Sequence, residues 1–268
     1  MPQAPDTSPP NLPLIELQSV DSTNNYARTL IHDKLAQHGM AVFAHEQVAG
    51  KGQRGKVWLS EKDTNIIISI VLKPHPLQLS QQFQFEACVA LAVHDFFTRY
   101  AGENTKIKWP NDLYWQDRKA GGMLIESVVR SNDSGIAFGK PLATEGVGNW
   151  EWVIIGIGIN INQTSFSAQL PNPVSLKQIT GNDYLVTVLA KELNSMVQQY
   201  FQQLIKDGFE KIYTRYISCL YKKGSAIRLK KDNRIFEAIV RSVSPLGKLI
   251  VQHGIQEEFE FGQVEWLI

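Results

Sequence analysis

The chain has 268 residues, enough for one sizeable domain and a smaller second one. A hydrophobic share of 43%, a charged share of 20% and a formal net charge of +1 are those of an ordinary globular protein, with no global field toward nucleic acid or membranes. Two cysteines, Cys88 and Cys219, no secretory signal and no apolar run near the ~18 residues of a membrane span predict a reducing, cytoplasmic setting with no membrane.

Residues 1–11, MPQAPDTSPPN, are Pro-rich and polar and read as a flexible tail. A first strand is expected at 12–17. Asp21-Ser22-Thr23-Asn24 then stands before Tyr26, Ala27, Leu30 and Ile31, apolar groups at helical spacing behind good N-cap residues. A second strand at 40–46 leads into a loop from Gln47 to Trp58. There Gly50, Gly52 and Gly55 alternate with Lys51, Arg54 and Lys56, so the backbone can fold onto phosphate oxygens. The loop has neither the Gly-Lys-Ser/Thr ending of a Walker A motif nor a dinucleotide fingerprint.

Asn65 to Leu72, NIIISIVL, is a β-branched run expected of a strand buried on both faces. A helix follows over 79–100, in which His94 reads as a partnered histidine rather than a ligand. Residues 106–126, KIKWPNDLYWQDRKAGGMLIE, form the organising stretch. Pro110-Asn111-Asp112 breaks an alternating strand, Leu113-Tyr114-Trp115 resumes it, and Gln116-Asp117-Arg118 turns again before Lys119. The result is a hairpin-like platform carrying Lys108, Asn111, Asp112 and Lys119 beside Gly121-Gly122. Taken alone, PND is a turn and DRK a solvated tip; taken together, the gathered charges suit activation of an anionic substrate.

Residues 130–149 are polar and Gly-rich, a hairpin loop or insertion without an assigned role. Trp150 to Asn162, WEWVIIGIGININ, is a strand whose Gly156 and Gly158 let a ligand or another backbone pack against it. Helical stripes follow at 185–204 and 209–220. Lys222-Lys223-Gly224 marks a boundary, and short alternating strands with turns at 231–233 and 244–247 predict a small antiparallel barrel.

The string KWPND, then DRK, then glycine and a strand ending in glutamate, resembles the signature of biotin protein ligases. DSTN, the Gly/Lys loop ending in Trp58, Gly156-Ile157-Gly158-Ile159-Asn160 and the terminal barrel stand in the family's order, so the resemblance covers nearly all of the chain past residue 12. It implies an α+β fold, a mixed central β-sheet packed with helices of the class II synthetase/biotin–lipoate ligase type, followed by an SH3-like barrel. The expected divisions are 12–221 for the catalytic domain and 222–268 for the barrel.

The implied reaction has two steps: biotin and ATP give biotinyl-5′-AMP, and biotin then passes to a lysine of a biotin carboxyl carrier protein. By the same resemblance the catalytic residues are Lys119, Asp112 and Arg54. Biotin would be held by Ser22, Thr23, Asn24, Gln47, Gly50, Lys51, Gly52, Gln53, Trp58, Lys119, Gly122, Gly156 and Gly158. ATP and the adenylate would be held by Lys51, Arg54, Gly55, Trp58, Lys108, Trp109, Asn111, Asp112, Lys119 and Asn160, with Mg²⁺ on the phosphates. Lys51 and Gln53 depart from the family's usual arginines, which changes donor geometry there. With only the tail before the first strand, the monofunctional type without a DNA-binding domain is expected; a homodimer is left open. Two alternatives remain, a lipoate or octanoate enzyme of the same fold and a non-catalytic biotinyl-adenylate sensor.

Overall fold

The structure, a computed structural model, describes residues 13–131, 135–138 and 149–267. The expected tail at 1–11 and most of the expected insertion at 130–149 lie outside these residues.

A large sheet and a small one organise the chain. The large sheet contains β1 (Leu14–Leu17), β2 (Ala41–Ala44), β3 (Asn65–Leu72), β4 (Thr105–Lys108), β5 (Asp112–Trp115), β6 (Arg118–Ser131), β7 (Gly135–Phe138) and β8 (Asn149–Asn160). Its order is β1-β2-β3-β8-β6-β5-β4, with β7 paired to β6. Only β1 and β2 run parallel; the other pairs are antiparallel, which makes the sheet mixed. As expected, all eight residues of β3 are buried, because the strand sits mid-sheet with helices over both faces.

One face is covered by α2 (Gln82–Ala101) and α4 (Val186–Asp207), with α5 (Glu210–Ser218) against α2. Ile66, Ile68, Ile70 and Leu72 of β3 point into this main core with Phe85, Leu91 and Phe97 of α2. The opposite face is covered by α1 (Thr23–His32), whose Ala27 and Ile31 meet Val71, Val128 and Ile154. A short α3 (Leu176–Thr180) begins with a capping box, in which Ser175 Oγ accepts from the Gln178 backbone N–H and the Gln178 side chain accepts from Ser175 N.

Local differences from the sequence reading have simple causes. The helix expected from residue 79 starts as a 3-10 turn, Leu79–Gln81, and becomes α-helical at Gln82. Within the 130–149 stretch, Gly135–Phe138 pairs antiparallel with the end of β6, extending one long strand into a hairpin. His94 is buried and bridges Asp95 Oδ1, 2.9 Å from Nδ1, and the Thr105 carbonyl, 3.1 Å from Nε2, so it ties α2 to β4 as a core histidine.

The small sheet is antiparallel, in the order β12-β11-β10-β9-β13. Its strands are β9 (Ala226–Lys231), β10 (Arg234–Val243), β11 (Leu249–His253), β12 (Ile255–Phe259) and β13 (Glu265–Leu267), matching the expected SH3-like barrel. Among the described residues no helix is long and apolar enough to cross a membrane.

Candidate active site

Side chains alternate across a strand, so every second residue of β3, β8 and β6 faces α1. On these central strands four of the residues facing α1 are small, Ser69, Gly122, Gly156 and Gly158, beyond the larger Val71, Val128 and Ile154. Ser69 is the register partner of Gly156, Gly156 of Leu124, Gly158 of Gly122, and Gly122 of Asp112. A floor of serine and glycine therefore runs across three strands, β3, β8 and β6, with Asp112 of β5 at its edge, while their alternate neighbours fill the main core.

The glycines are small because the layer above sits close. A Cβ on Gly158 would fall 2.5 Å from Cε2 of the Trp58 indole, and one on Gly156 would overlap the side-chain amide of Asn24. A Cβ on Gly122 would come within 3.1 Å of Asp112 Oδ1 and 3.5 Å of Lys119 Nζ. The sequence reading that Gly156 and Gly158 permit a close approach thus holds, and Trp58 and Asn24 are what approach.

At one end of this floor Lys119 Nζ donates to Asp112 Oδ1 at 2.7 Å. The two residues sit on neighbouring strands of the β5–β6 hairpin, across a register irregularity between Leu113 and Tyr114. Lys108, on β4, faces the rings of Tyr114 and Trp266, with Nζ 5.5 Å and 5.3 Å from their centroids. Burial pushes the Lys108 ammonium below the ordinary lysine range; Asp112 opposes this, while the charges of Lys119 and Lys56 add to it. Three lysines thus share one field, a setting that favours an anion. Asn111 Nδ2 donates to the Met123 carbonyl at 2.6 Å, and Asn160 Nδ2 to the Val174 carbonyl at 3.1 Å, so both amides brace the backbone around the pair.

At the other end, Ser22, Thr23 and Asn24 are all buried at the start of α1. Ser22 occupies the N-cap position, but its side chain makes no capping bond. Thr23 N donates to Gln47 Oε1 at 2.7 Å, which turns Gln47 Nε2 toward Gly50. Ser69 Oγ lies 2.7 Å from Thr23 Oγ1 and 2.5 Å from Asn24 Oδ1. These amides and hydroxyls make a polar patch with both donors and acceptors.

The Gly/Lys loop crosses above. It contains a single 3-10 turn, Gln53–Gly55, with Arg54 in the left-handed region at φ 55°. Lys51 Nζ donates to Asn25 Oδ1 at 2.6 Å, Gln53 Nε2 to the Met123 carbonyl at 3.4 Å, and Arg54 Nη1 to the Gly262 carbonyl at 3.2 Å. Lys51 and Arg54, both read as phosphate contacts, are therefore held by α1 and by the barrel in this state. Trp58 Nε1 is buried without a hydrogen-bond partner, an orphan donor of the kind that a ligand acceptor satisfies. Outside the loop lies a groove of about 440 Å³ lined by Gln47, Val57, Trp58, Leu59, Gln163 and Leu170.

Trp109 is buried at the barrel junction: its Nε1 donates to the Gly247 carbonyl at 2.9 Å and its ring meets Phe261 edge-on at 5.9 Å. Sequence reasoning missed this use of Gly247, Phe261 and Gly262, because turn residues in a distant barrel carry no local sign of what they touch. It also passed over Glu126 and Arg28, which pair with each other beside Asn24. Among the described residues, no cluster of three or more His, Cys, Asp or Glu side chains is placed to hold a metal ion.

The sequence profile of the biotin/lipoate A/B protein ligase family matches residues 16–139. A bifunctional ligase/repressor of Bacillus spizizenii is 29% identical over 250 residues, covering 91% of this chain and 71% of that protein. A biotin–[acetyl-CoA-carboxylase] ligase of Paracoccus denitrificans is 28% identical over 243 residues, covering 88% and 92% respectively. A solved structure of a biotin protein ligase from Aquifex aeolicus, in complex with biotin and ATP, shares the fold with a TM-score of 0.75 at 22% identity, over 95% of this chain and 98% of that one. The chain is thus similar over most of its length to biotin protein ligases and shares their fold, and its residues 16–139 match the biotin/lipoate A/B protein ligase family.

Proposed function

We infer that this chain joins biotin to ATP, giving biotinyl-5′-AMP and pyrophosphate, and then transfers the biotinyl group to a lysine of a biotin carboxyl carrier protein. The observation that carries the reading is the Lys119–Asp112 pair at one end of a glycine floor whose other end is a polar, donor-and-acceptor patch. That spacing of chemistries suits a molecule with a carboxylate at one end and a ureido ring at the other.

In the first step a biotin carboxylate oxygen attacks the α-phosphorus, and the bond to the β-phosphate oxygen breaks. Both reactants are anionic, so cations at the reacting centre offset their repulsion. Lys119 has three donors; it can keep Asp112 while holding the carboxylate and an α-phosphate oxygen. Lys108 and Lys56 add to the field, and Arg54 moves from the Gly262 carbonyl to phosphate as the loop closes. In the second step the carrier's amine attacks the acyl carbon and AMP leaves. Asp112 lies where a carboxylate would orient that amine or accept its proton. Ser22, Thr23, Asn24 and Gln47 serve the ureido ring, Trp58 and Gly158 the apolar body of the ligand, and Asn111 and Asn160 brace the nucleotide side.

Mg²⁺ would arrive with the triphosphate, whose oxygens are hard ligands, since the described residues offer no clustered site. The division into a catalytic part, 12–221, and a barrel, 222–268, is supported by the separate sheets. The test is mass spectrometry of the protein with ATP, Mg²⁺ and either biotin or lipoate, followed by addition of a carrier domain. Biotinyl-AMP and a biotinylated carrier are expected. Lipoyl-AMP with no biotin product would overturn the substrate assignment, and adenylate that no carrier accepts would leave a sensor.

A further inference from the structure

Lys108 is placed to reach Asp112 and does not. It lies opposite Asp112 in the register of β4 and β5 and diagonal to Tyr114, so the three side chains share one face of the sheet. Among the described residues, however, only Lys119 pairs with that carboxylate, at 2.7 Å through Oδ1. The half-buried Lys108 ammonium makes no hydrogen bond or ion pair there. Its Nζ sits instead over the rings of Tyr114 and Trp266, 5.5 Å and 5.3 Å from their centroids.

The two rings come from different sheets. Tyr114 belongs to β5, whereas Trp266 belongs to β13 of the barrel and pairs there with Leu229 of β9. Tyr221, in the connection between the sheets, packs on both rings, with its centroid 4.9 Å from Tyr114 and 6.2 Å from Trp266. Its hydroxyl donates to Asp117 Oδ1 at 2.8 Å, which fixes it against the tip of the β5–β6 hairpin. The ring surface under Lys108 is therefore anchored, while the lysine stem is flexible. A π face attracts a cation within about 6 Å, and more strongly where water is excluded. Of the neighbouring charges, Asp112 attracts the ammonium more than Lys119 repels it. With one ring removed, the stem would carry the ammonium to the second oxygen of Asp112.

We propose that Trp266 is a positioning residue of the active site: with Tyr114 it holds the Lys108 ammonium off Asp112, so that Asp112 Oδ2 stays open for the acceptor amine. The inference rests on the reading of Lys119 and Asp112 as the reacting centre. The barrel then contributes to the transfer step without touching the reacting atoms.

The test is single-turnover transfer from preformed biotinyl-AMP to an isolated biotin carboxyl carrier domain. It is run on the full chain and on Trp266→Leu, Trp266→Phe, Lys108→Met and the double variant Trp266→Leu/Lys108→Met. Trp266→Leu is expected to slow transfer by about tenfold, because Lys108 then occupies Asp112. Trp266→Phe keeps a π face and should slow it by less than about threefold. In the Lys108→Met background no ammonium is left to misplace, so adding Trp266→Leu should cost less than about twofold. A merely structural Trp266 would cost the same in both backgrounds, and that outcome overturns the inference.

A second reading does not depend on any Trp266 variant folding. In NMR spectra of the unaltered chain carrying isotope-labelled lysine, the Lys108 ε-methylene signal is assigned by its loss in Lys108→Met. The ring currents of Tyr114 and Trp266 should move it upfield of the other lysines. A signal at the ordinary lysine position would mean that the rings do not hold Lys108, which also overturns the inference. If the unaltered chain transfers no biotin, the reading of the reaction falls and takes this inference with it; transfer with equal losses in both backgrounds sinks only the inference.

Discussion

Lys119 and Asp112 meet at 2.7 Å in a site where both side chains keep about a quarter to a third of their surface exposed, 31% and 26%. Partial exposure leaves room for an incoming anion to share the ammonium. Lys119→Ala is expected to lower the rate of pyrophosphate release by about 10²- to 10³-fold, the size of effect seen when one stabilising donor is lost from a transition state. Asp112→Asn keeps the shape of the pair but removes the charge. Single-turnover transfer from preformed biotinyl-AMP to the carrier should then slow by at least about 10²-fold, with adenylate formation affected less. Equal loss in both steps would place Asp112 with the first reaction. Both residues were legible in the sequence because they lie in one continuous string. Glu126, at the end of that same string, was not read as part of the site, since nothing local says that its oxygen will reach Asn24, 102 positions away.

At the scale of elements, the α1-facing side of β3, β6 and β8 is where fold and site are one object. Gly158→Ala would drive a methyl into the Trp58 indole, an overpacking that costs about 1–3 kcal/mol in a tight interior. Because Trp58 lies on a loop that can shift, the expected outcome is a rise of about tenfold or more in the biotin KM, with a smaller loss in stability measured by urea unfolding. A second element-level device is the His94 tie between α2 and β4. Burial disfavours the imidazolium, yet the Asp95 carboxylate and the Cys219 sulfur beside it prevail, and its pKa is raised to about 9. Both ring nitrogens face acceptors, which suits the doubly protonated form. The folded pKa lies above the ordinary histidine value of 6.5, so the stabilisation is complete below that pH and is lost as pH rises through about 9. Urea midpoints of the unaltered chain should fall more between pH 7 and pH 10 than those of His94→Gln. Equal falls would remove His94 from the account.

Over the whole molecule, the barrel is fastened to the chemistry rather than hung beside it. Gly247 and Gly262, both at barrel turns with positive φ, offer carbonyls to Trp109 and Arg54, and Trp266 lies under Lys108. Trp109→Phe removes one buried hydrogen-bond donor and should cost about 1 kcal/mol of stability. Through the neighbouring Lys108 and Asn111 it should also raise the ATP KM more than the biotin KM. If steady-state kinetics show both constants unchanged, the barrel contact is architectural only.

Much of this organisation was present in the residues themselves. The β-branched run at 65–72, the helical stripes at 185–204 and 209–220 and the alternation in 226–267 are local patterns that recur at the periods of strand and helix, so each element was legible with its ends shifted by a few residues. The signature string and the glycine loop named the chemistry because their residues are neighbours in sequence. Tertiary structure decided the rest: which face of β8 its glycines open onto, that Asn24 and Trp58 fill that space, that Arg54 rests on the barrel, and that Glu126 accepts from Asn24. Those relations join residues far apart in the chain, up to 208 positions for Arg54 and Gly262, and a hydrogen bond between groups so distant in sequence exists only once the sheet has set its register.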